Sequence, residues 1–262
     1  MKVKLSDRTT LDLSYEHADH ERYIDRGIPT ENGEPVERFE KITFGGDDNL
    51  TTLKANILRA TLSKVFSDTR KGNLSIVSSD FEKMYKNYYA SGYTAGATVV
   101  TMDGYLDPTE RENTIISGNI VNEVGNHTLL VGVELIDTTN ENFRYNTFWS
   151  TTSDDNEVFN ITRPMDFSVN SAGVATSNDY TADLKSKTKS DIDVTSFFIQ
   201  DQIDVSDKLK LMIGGRHDSF DITVTDVKAG SAAARKDTKF SPRAGVISVS
   251  YTHLRAHETR EY

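Results

Sequence analysis

His253 and His257 stand four residues apart, the spacing that puts two metal ligands on one face of a helix. No glutamate follows His253 as the zinc-protease helix requires, so the pair carries no hydrolytic signature. Asp154-Asp155-Asn156-Glu157 lines up oxygen ligands, but it lacks the glycine and the spacing of a calcium loop and reads as a solvated turn. His17, His127 and His217 lie inside alternating stretches, and no strained nucleophile elbow accompanies the many serines. The chain has no cysteine, which excludes thiolate nucleophiles, zinc–thiolate centres and disulfides. A net charge of −10 with no basic block argues against nucleic acid as a partner. These residue types are expected to serve something other than an enzyme.

The elements that would position them are strands. Leu11, Leu13 and Tyr15 alternate with Asp12, Ser14 and Glu16, and Leu58, Ala60 and Leu62 alternate with Arg59, Thr61 and Ser63. The same period runs through Asn113–Val124, through Leu129–Leu135, and through Ser196–Val224 on both sides of a break at Ser206-Asp207-Lys208. A period of two with one apolar and one polar face means strands set between two environments. Leu53–Phe66 also fits a helix, since Leu53, Ile57, Leu58, Leu62 and Val65 would share one helical face. No segment approaches the roughly 20 apolar residues of a membrane helix, and no apolar stretch follows the N-terminal lysines as a signal peptide would require.

The connections alternate in length. Ser67-Asp68-Thr69, Gly125-Asn126 and Ser206-Asp207-Lys208 are tight, whereas His20–Asn49, Ala90–Arg111, Arg144–Lys189 and a shorter stretch at Val227–Asp237 read as polar excursions. In an antiparallel meander alternate connections lie at the same end. Short turns at one end and long loops at the other is the arrangement of outer-membrane barrels. Pro29, Pro35, Pro108 and Pro164 fall in the expected excursions, and Pro242 at the start of an expected strand. The expectation is an all-β, antiparallel meander of about eight strands; a soluble β-sandwich or β-helix has the same alternation and remains the rival.

Several motifs sharpen this. "FFIQDQIDVSDKLKLMIGGRHDSFD" followed by "KFSPRAGV" resembles the barrel of TonB-dependent siderophore receptors, in which an aromatic-x-Gln-Asp strand turns into a Gly-x-Arg-x-Asp strand and a Ser-Pro-Arg-x-Gly strand follows. "DRGIPTENGEPV", "DFEKMYKNYYASG", "TERENTI" and "HTLLVGVEL" resemble the branch that imports ferric catecholates. The resemblance covers Thr9–Val249. It implies part of a 22-stranded transmembrane β-barrel, an open curved sheet in this chain, in the cell outer membrane of a Gram-negative bacterium. The implied partners are a ferric siderophore as transported ligand, outer-membrane lipid, and the TonB–ExbB–ExbD complex that energises transport. No other cofactor is implied.

The resemblance also suggests site residues. A ferric catecholate is compact, anionic and aromatic-edged, so arginines and aromatic rings at the extracellular mouth would recognise it. The candidates are Arg26, Tyr88, Tyr89, Tyr93 and Arg111. The competing reading is structural: Arg26 pins its own loop, and the tyrosines form an aromatic girdle. Gln200, Asp201, Gly215, Arg216, Asp218, Pro242 and Arg243 carry the family motif and are expected to be architectural, with Arg216 and Asp218 on the lumen side and Asp201 interrupting the face of Phe197, Ile199, Ile203 and Val205.

Residues 1–250 are therefore expected to be a partial receptor barrel, without the plug and the TonB-contacting segment. Residues 251–262 are expected to be a non-homologous tail, since Tyr251–Tyr262 turns basic and His-rich and resembles translated sequencing adaptor.

Overall fold

The structure, a computed structural model, describes residues 1–46 and 49–248. The expected tail at 251–262, with His253 and His257, lies outside the described residues. The strands are β1 (Lys2–Ser6), β2 (Thr9–Tyr23), β3 (Thr30–Glu31), β4 (Glu34–Pro35), β5 (Leu50–Ser67), β6 (Arg70–Gly92), β7 (Val99–Val124), β8 (His127–Asn146), β9 (Glu157–Asn160), β10 (Asp183–Ser206), β11 (Leu209–Asp226) and β12 (Ser231–Ser248). One sheet runs β1-β2-β5-β6-β7-β8-β10-β11-β12, with β9 on the start of β7 and β3-β4 a separate small hairpin. All neighbours are antiparallel. Among the described residues β1 and β12 each have one neighbour, so the sheet is open there. The eight long strands are β2, β5, β6, β7, β8, β10, β11 and β12, as the alternation predicted.

Leu53–Phe66 is strand, not helix: β5 pairs along its length with β2 and β6, which satisfies its backbone on both sides. Among the described residues no helix is long and apolar enough to cross a membrane, which says nothing of strands.

The two faces differ sharply. Following the register across the sheet, one row reads Leu62, Leu74, Gly118, Val133, Phe197, His217, Phe240, and the next Ala60, Ile76, Ile116, Leu135, Thr195. Leu74, Ile76, Ile116, Ile120, Val131, Leu135, Phe197, Ile199, Ile213 and Phe240 all lie on this face and are exposed. Along β7 the apolar band runs from Ile116 to Val124, the length a tilted strand needs to cross a hydrocarbon core, about 9–11 residues. A water-soluble sandwich would bury such a face against a second sheet. Here, among the described residues, no second sheet covers it and the side chains stay exposed, as a face that meets lipid would.

At one end of the band the turns are all tight, at Asp7-Arg8, Asp68-Thr69, Gly125-Asn126 and Asp207-Lys208. At the other end the strands run on past the band and are joined by 24–49, 93–98, 147–182 and 227–230. Three expected excursions are thereby corrected. Most of Ala90–Arg111 belongs to β6 and β7, and Ser231–Asp237 belongs to β12. Arg144–Lys189 likewise shrinks, because Arg144–Asn146 and Asp183–Lys189 are strand. Outside the band neither face meets lipid, so the ladders continue without apolar alternation, and polarity alone had suggested loop. Two prolines move with this correction. Pro108 lies inside β7, and Pro242 lies within β12 rather than at its start, whereas Pro35 stays in the 24–49 connection, at the end of its small hairpin. Pro108 keeps its place because the β7–β8 ladder skips from Leu106↔Tyr145 to Thr109↔Asn142, leaving a gap where the missing N–H is needed by no partner.

Candidate functional site: an arginine–tyrosine strip above the apolar band

The long connections fold over one end of the sheet and bury their own core. Phe39, Phe44, Tyr88, Val100, Met102, Trp149, Phe159 and Tyr180 form it. Tyr88 stacks on Trp149 with ring centroids 5.5 Å apart, and on Tyr180 at 5.6 Å. Asn49 ties the first loop to β6, its side chain accepting from the Tyr88 N–H at 2.7 Å and donating to the Tyr88 carbonyl at 3.1 Å. Two expected ligand contacts belong to this core. Tyr88 lies on the same face as Leu74 and Ile76, and Tyr93 packs edge-on against Phe39 at 5.5 Å and hydrogen-bonds Arg38.

The opposite, polar face carries the site. Lys83, Tyr85, Asn87 and Tyr89 alternate along β6 and meet Thr109, Asp107, Tyr105 and Asp103 of β7. Arg26 reaches in from the 24–49 loop. Its Nη1 donates to Tyr105 Oη at 2.9 Å, to Asn87 Oδ1 at 3.3 Å and to Tyr85 Oη at 3.4 Å. Its guanidinium lies 5.0 Å from the Tyr89 ring centre and 5.8 Å from that of Tyr105. Burial pulls the Arg26 pKa down, but the hydrogen bonds to Tyr105 and Tyr85 leave it raised, so the cation is held. Tyr85 and Tyr105 stack at 5.8 Å. From β8, Arg144 covers Tyr105 at 4.2 Å while gripping Asp107.

Tyr89 donates to Asp103 Oδ2 at 2.8 Å, and its phenol is pushed up to about 12 by burial and by that carboxylate. The Asp155 carboxyl is raised as well, by burial and then by the charge of Asp103. Below this cluster a cavity of about 470 Å³ on the polar face is lined by Leu53, Phe81, Lys83, Arg111 and Asn140 among others. Arg111 donates to Asn140 Oδ1 at 3.0 Å there. The strip thus sets Arg26, Lys83 and Arg144 beside Tyr85, Tyr89 and Tyr105, with Asp103 and Asp107 the carboxylates against them, and Arg111 farther down the same face, opposite Phe81. Such a surface can offer ring faces and positive charge to a flat, anionic ligand.

Of the five expected contacts, Arg26, Tyr89 and Arg111 share this face, while Tyr88 and Tyr93 are in the loop core. Lys83, Tyr85, Tyr105 and Arg144 were missed, although the two-residue period of β6 would have placed Lys83 and Tyr85 with Tyr89. Asp154–Glu157 is not a uniform solvated turn: Glu157 begins β9 and is buried, accepting from Thr151 and Asn170. Among the described residues no group of three or more His, Asp or Glu side chains could hold a metal.

The motif residues near the short-turn end divide between the faces. Gln200, Arg216, Asp218 and Arg243 share the polar face. There Arg216 bonds Glu134 and Asp218, both at 2.6 Å, and the buried Ser196 at 2.8 Å. Arg243 donates to Gln200 Oε1 at 3.0 Å. Asp201, Gly215 and Pro242 lie on the apolar face, where the alternation of β10 placed Asp201 as an interruption: it aligns with Leu129 and Ile213 and is held by His127 Nδ1 at 2.7 Å. Gly215 is buried beneath Phe240, whose Cζ would stand 2.5 Å from any Cβ there.

A family model described as "TonB dependent receptor-like, beta-barrel" matches residues 2–255. Among solved structures, the chain is similar to the ferripyoverdine receptor of the outer membrane of Pseudomonas aeruginosa, with TM-score 0.67 and 16% identity over 95% of this chain and 32% of that one. It is similar to BauA, the ferric preacinetobactin receptor from Acinetobacter baumannii, with TM-score 0.64 and 13% identity over 94% of this chain and 36% of that one. The ferric-catecholate import receptor Fiu from E. coli K12, in its closed form, gives TM-score 0.61 and 14% identity over 94% and 39%. The chain therefore spans about a third of the length of the solved receptors it matches. No curated protein sequence matches it. At these identities the solved structures speak for the fold, and the family match covers nearly every residue: the chain belongs to the TonB-dependent receptor-like β-barrel family.

Proposed function

We propose that this chain is part of an outer-membrane receptor that imports a ferric siderophore of the catecholate type, driven by TonB. The observation that carries the reading is the strip in which Arg26 spans Tyr85, Tyr89 and Tyr105 on the polar face above the apolar band. In a closed barrel that face lines the lumen, and the strip would meet a ligand arriving through the long loops. Catecholate rings bound to iron(III) present aromatic edges and negative charge together, which suits stacked tyrosines flanked by guanidinium groups. The solved relatives are named for ferric chelates of differing chemistry, which supports an iron(III) chelate as the class. The reading is of a transporter rather than a catalyst. Passage of the ligand would depend on the TonB–ExbB–ExbD complex acting through parts of the receptor other than this chain.

The test is uptake of labelled iron by the full-length receptor in a strain stripped of its other siderophore receptors. Ferric catecholate, ferric hydroxamate and ferric citrate are supplied in turn, with and without TonB. Uptake of the catecholate complex that requires TonB is expected. Uptake of the hydroxamate or the citrate complex alone would move the assignment to that chelate, and equal uptake without TonB would sink the mechanism.

A further inference from the structure

The apolar face is not uniformly filled. Near the Asp68-Thr69 turn it is hollowed into a groove of about 450 Å³ that crosses β5 to β10. Its floor lies where Gly72 and Gly118 supply no side chain, and Phe66 and Phe197 stand at opposite sides. The register shift between Val65 and Ser67 singles Phe66 out of the β5–β6 ladder, and its ring rests 3.2 Å from where a Gly72 Cβ would be. At Gly118 a Cβ would meet only ordinary contacts, the nearest being Leu74 Cδ1 at 3.7 Å, so the hollow there is not required by packing of the sheet.

Charge on this face is also uneven. Lys64 lines the groove, with its ammonium 5.4 Å from the Phe66 ring centre. Arg70 lies on the next row toward the turn and donates to Asn122 at 2.9 Å. Across the band, at the end nearer the long loops, Asp137, Asp193 and Asp221 stand side by side on β8, β10 and β11 of this same face. Asp201 shares the row of Arg70, three strands away, and is held there by His127 Nδ1 at 2.7 Å, so the positive charge at the turn end is concentrated at Lys64 and Arg70 on β5 and β6, where a phosphate would be attracted.

We propose that the groove seats an acyl chain of a glycerophospholipid from the periplasmic leaflet, whose phosphate meets Lys64 and Arg70. The proposal rests on the outer-membrane placement, in which short turns face the periplasm. The stem of Lys64 lies along apolar surface while its ammonium reaches the headgroup level, and basic side chains beside an apolar groove favour anionic headgroups.

The test uses the full-length receptor extracted in mild detergent, with bound phospholipid measured by native mass spectrometry. Wild type is compared with Gly118→Leu, which fills the floor, and Lys64→Gln, which removes the cation at the surface. Wild type is expected to keep a phospholipid that Gly118→Leu loses and that Lys64→Gln keeps about fivefold less well. Equal retention in all three overturns the proposal, as does lipopolysaccharide or a second receptor copy in place of the phospholipid. Heat-modifiable migration of each variant separates the two readings: a receptor that never assembles in the outer membrane refutes the membrane placement, and one that assembles without lipid refutes the groove alone.

Discussion

Arg144 grips Asp107 with both arms, Nε to Oδ1 at 2.8 Å and Nη2 to Oδ2 at 2.5 Å, at the gap in the β7–β8 ladder beside Pro108. The ion pair bridges strands where the backbone does not, and the same guanidinium covers Tyr105. A ladder defect is thus coupled to the placement of a ring in the candidate site. Arg144→Lys keeps the charge but not the planar fork. It is expected to weaken ferric-ligand binding by about 1 kcal/mol, roughly fivefold, without impairing barrel assembly. Equilibrium binding to the full-length receptor measures this, and unchanged affinity would detach Tyr105 from recognition.

Arg26 reaches three residues of two strands from a loop that is also fastened by Asn49 to Tyr88 and by Arg38 and Phe39 to Tyr93. Arg26→Gln is expected to lower affinity for an anionic ferric chelate about tenfold while leaving hydroxamate binding less affected, because the lost interaction is with charge and ring faces. If protease sensitivity of the 24–49 loop rises and affinity stays constant, Arg26 is a loop pin and nothing more.

The strands inside the apolar band were legible because lipid on one side enforces a period of two. Beyond the band that constraint lapses. "TMDGYLDPTE" therefore read as an excursion although it is the continuation of β7, and its proline sits in a local gap that only the three-dimensional register reveals. The site suffered from the same cause. Tyr88 and Tyr89 are neighbours in sequence and point to opposite faces, one into the Trp149 core and one beneath Arg26. Choosing between them requires a continuous register from Leu74 upward, which composition does not supply. Asp201 shows the converse: inside the band its alternation with Ile199 and Ile203 already placed it on the apolar face, and the register keeps it there.

The Tyr89 phenol supplies a titration signature. Its folded pKa of about 12 stands above the ordinary 10.0, because burial and the Asp103 carboxylate both oppose the anion. A raised folded pKa means the contribution to stability is complete below pH 10 and is lost as pH climbs through about 12. Alkaline difference spectroscopy of the receptor should show a late tyrosinate component that disappears in Tyr89→Phe. A spectrum in which that variant removes only an early component would contradict the burial and the bond to Asp103.

Glycines opposite aromatic rings are a second structural device. Phe198 lies over Gly132 so closely that a Cβ there would collide with the ring edge, and Arg216 lies 5.9 Å from the same ring centre. Gly132→Ala should therefore displace Phe198 and cost about 1–3 kcal/mol. The cost would appear as a lower temperature at which the folded form converts to the unfolded one in gel migration. The double variant Gly132→Ala with Phe198→Leu should recover part of the loss, since the clash is with the ring.

Arg216 offers the sharpest test of architecture against recognition. It sits between Glu134 and Asp218 on the polar face, with Ser196 buried beneath, and joins β8, β10 and β11. Removing the cation leaves two carboxylates close together with no counter-charge, so Arg216→Gln is expected to cost about 2–4 kcal/mol. That is nearer the lower end of the range for buried pairs, because Arg216 is a third exposed. If the cost is the stranded charge, Glu134→Gln combined with Arg216→Gln should be more stable than Arg216→Gln alone, a positive coupling in a double-mutant cycle. Ferric-ligand affinity should stay unchanged in whatever fraction of the variant assembles. Loss of affinity at unchanged stability would instead place Arg216 in the path of the ligand.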